Sequence, residues 1–221
     1  MKNKEFLLLI PARKGSKGVK KKNIINISGK PLIAYTIEHA LDSGLGDVIV
    51  STDSSEIADI SAFYGAEVPF LRSKKLSSDN AATIDVIFDF LDRYPVYENI
   101  ILLQPTSPLR DSEDIKKAVS LFQEKKMNAL ISTKSIKFNE NFIFSYEDYF
   151  LSIDKPVEVT RRQEWSKAMI PNGAIFIANC KKLRKYRSFY MRGTGYYEMK
   201  TAKSIDIDTN DDLELVRKLL M

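Results

Sequence analysis

Residues 6–23, FLLLIPARKGSKGVKKKN, decide the fold class. The first five, Phe6–Ile10, are all apolar, which is typical of a short strand buried on both faces of a parallel sheet. A basic loop with two glycines follows. A helical apolar pattern then begins at Pro31, a residue that suits the first turn of a helix. The order strand, glycine-containing loop and helix indicates an α/β unit.

The same alternation continues to the end of the sequence. Further β-rich runs are predicted at 48–52, 67–71, 100–103, 129–133, 174–178 and 205–208. Helical periodicity is predicted over 31–43, 54–64, 83–94, 112–125 and 209–220. We therefore expect a single domain over residues 1–221, built on a doubly wound, mostly parallel α/β sheet. Ligands of such folds bind at the carboxyl ends of the strands.

The composition excludes several classes of protein. The chain has 221 residues, of which 44% are hydrophobic and 29% charged, so a fibrous or largely disordered protein is excluded. A single cysteine, Cys180, excludes an internal disulfide and a cysteine-based zinc site, and we expect a cytoplasmic protein. Phe6–Ile10 is too short for a signal-peptide core, and no run approaches ~18 apolar residues, so no membrane association is expected.

The net charge of +5 is concentrated in the loop after the first strand. Residues 11–23 contain no acidic residue and six basic ones, namely Arg13, Lys14, Lys17, Lys20, Lys21 and Lys22. Glycine backbone N–H groups and cationic side chains together favour a polyphosphate ligand. The loop matches neither the Walker motif nor the Rossmann fingerprint. A solvated basic loop stays open, as does a nucleic-acid patch at Lys20–Lys22, although no aromatic stacking platform accompanies it.

Two further segments carry candidate ligand-binding side chains. Gln104 lies at the carboxyl end of a predicted strand, and Asp206 and Asp208 alternate with isoleucine, so both carboxylates face one side. Carboxylates at this spacing suit one Mg²⁺ that also binds phosphate oxygens. Both segments also have an interpretation without a ligand. Gln104 could simply end a strand before a proline, and Asp206–Asp208 could form a half-exposed strand that leads into a helix cap. We expect His39 to be a surface histidine, and no serine or thiol protease triad is possible without a second histidine.

Residues 134–165 interrupt the α/β pattern with polar and aromatic residues. We interpret this segment as an arm inserted into the domain, with a hairpin predicted at Tyr146–Tyr149. Exposed aromatic side chains indicate a subunit interface, and the alternative is a small hydrophobic core formed within the arm itself.

Taken together, the motifs of this sequence resemble the acylneuraminate cytidylyltransferase (CMP-nonulosonate synthetase) family. The matching segments occur in the family's order and span nearly the whole chain: 12–18 (ARKGSKG), 22–23 (KN), 29–32 (GKPL), 51–53 (STD), 71–72 (LR), 76–79 (LSSD), 103–110 (LQPTSPLR), 162–163 (RQ), 172–175 (NGAI) and 205–209 (IDIDT).

The resemblance implies a reaction and a set of site residues. The 2-hydroxyl of a nine-carbon α-keto acid sugar would attack the α-phosphate of CTP, giving a CMP-sugar for cell-surface glycans and pyrophosphate. The positions matching the family's nucleotide-binding residues are Arg13, Ser16, Lys17, Lys22, Asn23, Arg72, Ala81 and Thr83. Those matching its sugar-binding residues are Gln104, Arg162, Gln163, Asn172, Phe189 and Tyr190. Asp206 and Asp208 match the pair that binds Mg²⁺ or Mn²⁺, and Lys22, Arg13 and Asp208 are the expected catalytic residues.

The resemblance leaves the identity of the sugar open. Ile170 stands where many sialate-activating members have arginine, and the arm lacks the His-Pro often present in them. N-acetylneuraminate, legionaminate and pseudaminate are all candidates, and 3-deoxy-octulosonate or a sugar phosphate is the alternative acceptor class. The family's arm exchanges between subunits, which implies a homodimer with composite sites. No nucleic-acid partner is expected.

Overall fold

A six-stranded mixed sheet forms the centre of the fold. The computed structural model describes residues 4–15, 18–138, 146–147, 150–151, 161, 163 and 165–220. The strands are β1 (Lys4–Pro11), β2 (Asn26–Ile27), β3 (Lys30–Pro31), β4 (Asp47–Ser51), β5 (Tyr97–Leu103), β6 (Ala129–Phe138), β7 (Tyr146–Glu147), β8 (Phe150–Leu151), β9 (Ser166–Asn179) and β10 (Thr194–Glu198). The large sheet has the order β10-β6-β9-β5-β1-β4, and β2-β3 and β7-β8 form two small hairpins.

All strands of the large sheet run in one direction except β9. β1 pairs in parallel with β4 and β5, and β10 pairs in parallel with β6. β9 is antiparallel to both β5 and β6. The predicted α/β class is therefore confirmed, and the reversal of β9 is the feature that the strand pattern did not indicate.

Helices cover both faces of the sheet. They are α1 (Leu32–Ser43), α2 (Ser55–Phe63), α3 (Thr83–Arg93), α4 (Ser112–Glu124), α5 (Cys180–Tyr186) and α6 (Asn210–Leu219). Alternate residues of β1 point to opposite sides: Leu8 and Ile10 pack with α1 and α4, whereas Leu7 and Leu9 pack with α3 and α5. Burial on both faces explains why β1 is apolar at every position from Phe6 to Ile10.

The five predicted helices are confirmed, and no end differs from its predicted position by more than one residue. Two of these helices begin with a capping box. At α6, Thr209 and Asp212 each accept a hydrogen bond from the other's backbone N–H, and at α4 the N-cap residue Asp111 forms the same arrangement with Asp114.

Two predicted strands were wrong. Glu67–Leu71 makes only isolated bridges, to Ile49 on β4 and to Thr52 just after it, and its Pro69 has no N–H to donate to a ladder. Ile205–Asp208 pairs with no strand and is tied to the sheet by the Ile207 N–H, which donates to the Thr106 carbonyl at 2.9 Å.

The small β2–β3 hairpin, α5 and β10 were not predicted. The strands β2 and β3 have only two residues each, and the segments of α5 and β10 are rich in lysine, arginine, tyrosine and glycine instead of aliphatic residues.

A third apolar cluster joins the C-terminal segment to the loop after β1. Ile207 is fully buried beside Val19, Leu32 and residues of α6. A side-chain Cβ at Gly18 would overlap the carbonyl oxygen of Asp208, so only glycine permits this approach. The two segments that the sequence analysis singled out for charge therefore lie against each other.

The ends of the predicted arm extend the sheet. Beyond Ile131 the register of the β6–β9 pairing shifts, and residues 133–138 then pair with residues 166–171. The predicted hairpin is present, since Tyr146–Glu147 pairs with Phe150–Leu151. The rest of the arm lies outside the described residues. In the described parts of the chain, no helix is long and apolar enough to cross a membrane.

Candidate functional site

A cavity of about 430 Å³ opens at the carboxyl ends of β1 and β5. Nine residues predicted for the site line it: Arg13, Lys22, Asn23, Arg72, Ala81, Thr83, Gln104, Asp206 and Asp208. They come from five separate segments of the sequence. Their convergence at this edge of the sheet agrees with the general position of ligand sites in doubly wound folds.

The loop after β1 supplies one wall of the cavity. Asn23 is buried, and its side-chain amide donates to the Arg13 carbonyl at 2.9 Å, which folds the loop back on itself. Lys22 is largely covered, and its Nζ donates to the Ile207 carbonyl at 2.7 Å and lies 3.0 Å from Asp208 Oδ1. Arg13 Nη1 lies 2.6 Å from Asp79 Oδ1. Cations held in this way are preorganised to bind an anion.

The opposite wall lies between α3 and the segment before it. Arg72 is buried, and its Nε donates to Ser77 Oγ at 3.0 Å. Burial lowers the pKa of the Arg72 guanidinium, and the nearby charge of Asp53 opposes that shift. Ala81 and Thr83 lie at the start of α3, of which Thr83 is the first residue, and the first turn of a helix has backbone N–H groups without a partner in the helix. This wall offers one buried cation and several directional polar groups, as the recognition of a polar heterocycle requires.

Asp206 and Asp208 face the cavity together although they do not lie on a strand. Burial raises the pKa of the Asp206 carboxyl, and the neighbouring charge of Asp208 adds to that shift. Among the described residues, Asp206 Oδ1 is buried and has no hydrogen-bond partner. The prediction that both carboxylates point to one site therefore agrees with the structure, whereas the strand assigned to them was wrong.

These two carboxylates fit a magnesium ion. A buried carboxylate oxygen without a partner is costly, and a divalent cation would satisfy it. No group of three or more histidine, cysteine, aspartate or glutamate side chains with metal-binding geometry occurs within the described ranges. A site with two carboxylates suits Mg²⁺, which keeps several waters and takes further oxygens from substrate phosphates.

Asn172 does not line the cavity. It is buried, and its side chain is occupied by Ser132 at 2.6 Å, Ser204 at 2.9 Å and the sulfur of Met199. Its neighbour Gly173 takes a positive φ of 77°, and a Cβ there would lie 3.1 Å from Gln104 Oε1 and 3.7 Å from Asp206 Oδ2. Direct sugar contact by Asn172 is therefore corrected to a supporting role: it holds the backbone that brings Gly173, Gln104 and Asp206 together.

Phe189 and Tyr190 do not line the cavity. They lie in the segment before Thr194, where β10 begins. Phe189 is buried against Phe176, and Tyr190 is exposed to solvent. Their assignment to the sugar site stays a prediction.

Three predicted site residues, Ser16, Lys17 and Arg162, lie outside the described residues. Gln163, near the end of the predicted arm, is described and exposed. His39, expected at the surface, is half-buried: burial and the charge of Arg110 lower its pKa to about 4, and it does not line the cavity.

The sequence analysis missed two residues that the structure brings to notice. Asp79 lines the cavity and pairs with Arg13, and the matching segment 76–79 was the available signal for it. Arg110 is completely buried behind Gln104. Its position at the end of segment 103–110 gave no indication of burial, because arginine is rarely buried.

Comparisons with known proteins agree on one family. The family model described as cytidylyltransferase matches residues 7–221. An N-acylneuraminate cytidylyltransferase of Streptococcus agalactiae serotype V is 36% identical over 93% of this chain, and the match covers 51% of that protein. This chain therefore spans about half the length of that relative.

Another relative matches over nearly its whole length. The CMP-N,N'-diacetyllegionaminic acid synthase of Legionella pneumophila is 37% identical over 97% of this chain and 96% of its own length. Among solved structures, a CMP:2-keto-3-deoxy-manno-octonic acid synthetase complexed with CTP superposes with a TM-score of 0.73, covers 98% of both chains and is 18% identical. That likeness supports the nucleotidyltransferase fold.

Proposed function

The chain belongs to the cytidylyltransferase family, and we propose that it transfers CMP from CTP to the 2-hydroxyl of a nine-carbon α-keto acid sugar. One observation carries the proposal: the basic loop after β1 and the Asp206–Asp208 pair line the same cavity, with Lys22 3.0 Å from Asp208. A triphosphate that binds together with a metal ion needs both groups in one site: cations for the phosphate oxygens and carboxylates for the metal.

The nucleotide lies between the two walls of the cavity in this proposal. Its cytosine contacts Arg72, Ala81 and Thr83, and its phosphates contact Arg13 and Lys22. The N–H groups of the loop after β1, including the segment with Ser16 and Lys17, bind phosphate oxygens. Support comes from the buried, fixed position of Arg72, because rigid polar groups discriminate between bases better than mobile ones.

The transfer step requires alignment and charge neutralisation. The 2-hydroxyl oxygen of the sugar forms a bond to the α-phosphorus, and the bond from that phosphorus to the bridging oxygen breaks. Pyrophosphate leaves with the electron pair, and the hydroxyl proton passes to solvent. Lys22 and Arg13 offset the charge on the α-phosphate and on the leaving group, which is where preorganised cations contribute most.

Asp206 and Asp208 are the proposed ligands of Mg²⁺, or of Mn²⁺ in its place. When bound, the ion would neutralise phosphate charge and lower the pKa of the sugar hydroxyl. Asp206 also lies beside Gln104 and Gly173, so the same carboxylate connects the nucleotide end of the cavity to the acceptor end.

The acceptor lies on the side of Gln104. Relatives named for acylneuraminate and diacetyllegionaminate support a nine-carbon acid over 3-deoxy-octulosonate or a sugar phosphate. Arg162 and Gln163 are the proposed carboxylate-binding residues, since a guanidinium matches a carboxylate in geometry. We place the reaction in the cytoplasm, in a homodimer with composite sites, and its CMP-sugar product serves cell-surface glycan synthesis.

The experiment is a pyrophosphate-release assay with the purified protein and Mg²⁺. CTP, UTP and GTP are each combined with N-acetylneuraminate, diacetyllegionaminate, pseudaminate and 3-deoxy-octulosonate. Turnover with CTP and a nine-carbon acid, at least about a hundredfold faster than with UTP, is expected if cytosine is read by hydrogen bonds. Turnover only with the eight-carbon acid, or none with any acid, would remove the proposal.

A further inference from the structure

Arg110 is a charged side chain that is buried with no carboxylate partner among the described residues. It is fully inaccessible to solvent, and burial lowers its pKa to about 10. No hydrogen bond or ion pair of the described residues joins its guanidinium to an acid. The nearest acidic groups, Asp111 and Asp114, are occupied by Lys203 and by the capping box of α4. Stability alone does not explain why a charged side chain is buried here, since a protein with a neutral side chain of similar volume at such a position is often as stable.

The guanidinium connects three elements of the fold. Its Nη1 donates to the Ala174 carbonyl on β9 at 2.9 Å and to the Gln104 carbonyl after β5 at 3.4 Å. Its Nη2 donates to Thr36 Oγ1 on α1 at 2.8 Å. The planar, rigid fork of an arginine can hold such groups at fixed separations, which a lysine cannot do.

The two carbonyl partners belong to the backbone that forms the acceptor end of the cavity. The Gln104 side chain lines the cavity, and Ala174 follows Gly173, whose Cβ position lies between Gln104 Oε1 and Asp206 Oδ2. Movement of either carbonyl would change the separation between the Gln104 amide and the Asp206 carboxylate. Displacements of about 1 Å at such a place can cost ~10²-fold in rate.

We propose that Arg110 is a positioning residue that sets the distance between the Gln104 amide and the Asp206 carboxylate, and so orients the acceptor sugar for attack. This inference rests on the proposed function, because it assigns the Gln104 end of the cavity to the acceptor. Arg110 itself touches no substrate.

Steady-state kinetics test the proposal with three variants. Arg110→Met removes the fork and the charge, Arg110→Lys keeps the charge, and Thr36→Val removes only the contact to α1. Each lost hydrogen bond corresponds to about a two- to tenfold effect. We expect Arg110→Met to raise KM for the acceptor at least about tenfold and Thr36→Val about threefold, with KM for CTP changed less than about twofold. Arg110→Lys should recover only part of the loss.

The matched control is Ser61→Ala, which removes a buried hydroxyl from α2, where it donates to the Ile57 carbonyl. It lowers stability without reaching the cavity, so both KM values should stay at the wild-type level. Equal changes in the two KM values of Arg110→Met, or an unchanged acceptor KM, would overturn the inference. If Arg110→Met does not fold, Thr36→Val decides the question by the same comparison.

Amide hydrogen exchange gives a readout that does not need turnover. In Arg110→Met, or in Thr36→Val if the first variant is unfolded, the amides of Thr106, Ser107 and Leu109 and those of residues 173–175 should exchange at least about tenfold faster. In Ser61→Ala they should exchange at the wild-type rate. Unchanged exchange of these amides in the variant refutes the positioning role of Arg110, whichever acceptor the protein uses. Faster exchange in the variant, together with no activity of the wild-type protein on any acid, refutes only the proposed function.

Discussion

Arg13, Lys22 and Arg72 all line the cavity, and each already donates to an acceptor within the chain. The partner of Arg13 is the carboxylate of Asp79, and that of Lys22 includes the carboxylate of Asp208. A phosphate that binds these cations must therefore compete with a carboxylate. The cost is modest for Arg13, because ion pairs with partly exposed partners contribute about 0.2–1 kcal/mol.

Asp79→Asn should consequently strengthen nucleotide binding. Removal of the competing carboxylate frees Arg13 for the triphosphate, and we expect KM for CTP to fall by about two- to fivefold. Asp92→Asn removes an exposed partner of Arg184 far from the cavity and is the control. A rise in KM for CTP would mean that Asp79 contacts the nucleotide directly.

Asp206 illustrates the cost of burying a carboxylate. Its pKa is raised above the ordinary value near 3.8 by burial and by Asp208, so the folded state binds a proton at Asp206 more readily than the unfolded state does. The contribution of this carboxyl to stability is therefore present at acid pH and is lost as the pH rises through the raised pKa.

Asp206→Asn should for that reason raise Tm at pH 7 in the presence of EDTA, and raise it less at pH 3.5, where the wild-type carboxyl is largely protonated. The same variant should have no activity, because it lacks one of the two proposed metal ligands. Asp211→Asn, an exposed change in the first turn of α6, serves as the control. A lower Tm of Asp206→Asn at pH 7 would contradict this expectation, because the contacts of the ionised carboxylate would then outweigh the cost of its burial.

At the level of secondary structure, the capping box of α6 holds the segment that contains the proposed metal ligands, Asp206 and Asp208. Asp212 Oδ2 accepts hydrogen bonds from the Thr209 N–H at 2.8 Å and from the Asp208 N–H at 3.1 Å. One carboxylate therefore fixes the backbone of two consecutive residues. The cap thus supports both the helix and the direction of the Asp208 side chain.

Thr209→Ala should lower the free energy of unfolding by about 1 kcal/mol, the usual value of an N-cap, and should raise the Mg²⁺ concentration required for half-maximal activity. Urea denaturation and a magnesium titration measure the two effects. Asn179→Ala removes the N-cap of α5, which is remote from the cavity, and should reproduce only the loss of stability. A normal magnesium requirement in Thr209→Ala would contradict the supporting role of the cap.

Prediction from sequence succeeded where local chemistry alone determines the element. β1 and β5 are apolar because both faces are covered, and α6 begins where its capping box lies. It failed at Ile205–Asp208, whose alternation arises from packing of Ile207 against Val19 and Leu32 and not from strand pairing. The reversal of β9 and the burial of Asn172 and Arg110 depend on contacts between distant segments, which no local pattern contains.

At the scale of the whole molecule, the long β6–β9 pair extends the sheet toward the arm, and Ile170 on it is 38% exposed. An exposed apolar residue on a strand pair that continues the sheet is a suitable dimer contact. Light scattering after gel filtration should give twice the chain mass of 25.2 kDa, with all activity in that peak. A monomer with full activity would refute the composite site.

In the proposed function, one cavity binds CTP and a metal ion between the basic loop and the carboxylate pair. The decisive measurement is pyrophosphate release from CTP and a nine-carbon keto acid, with Mg²⁺ and with EDTA. We expect turnover only with Mg²⁺, its loss in Asp208→Ala with the fold intact, and its retention in Asp211→Ala. Turnover in EDTA, or wild-type activity in Asp208→Ala, would contradict it.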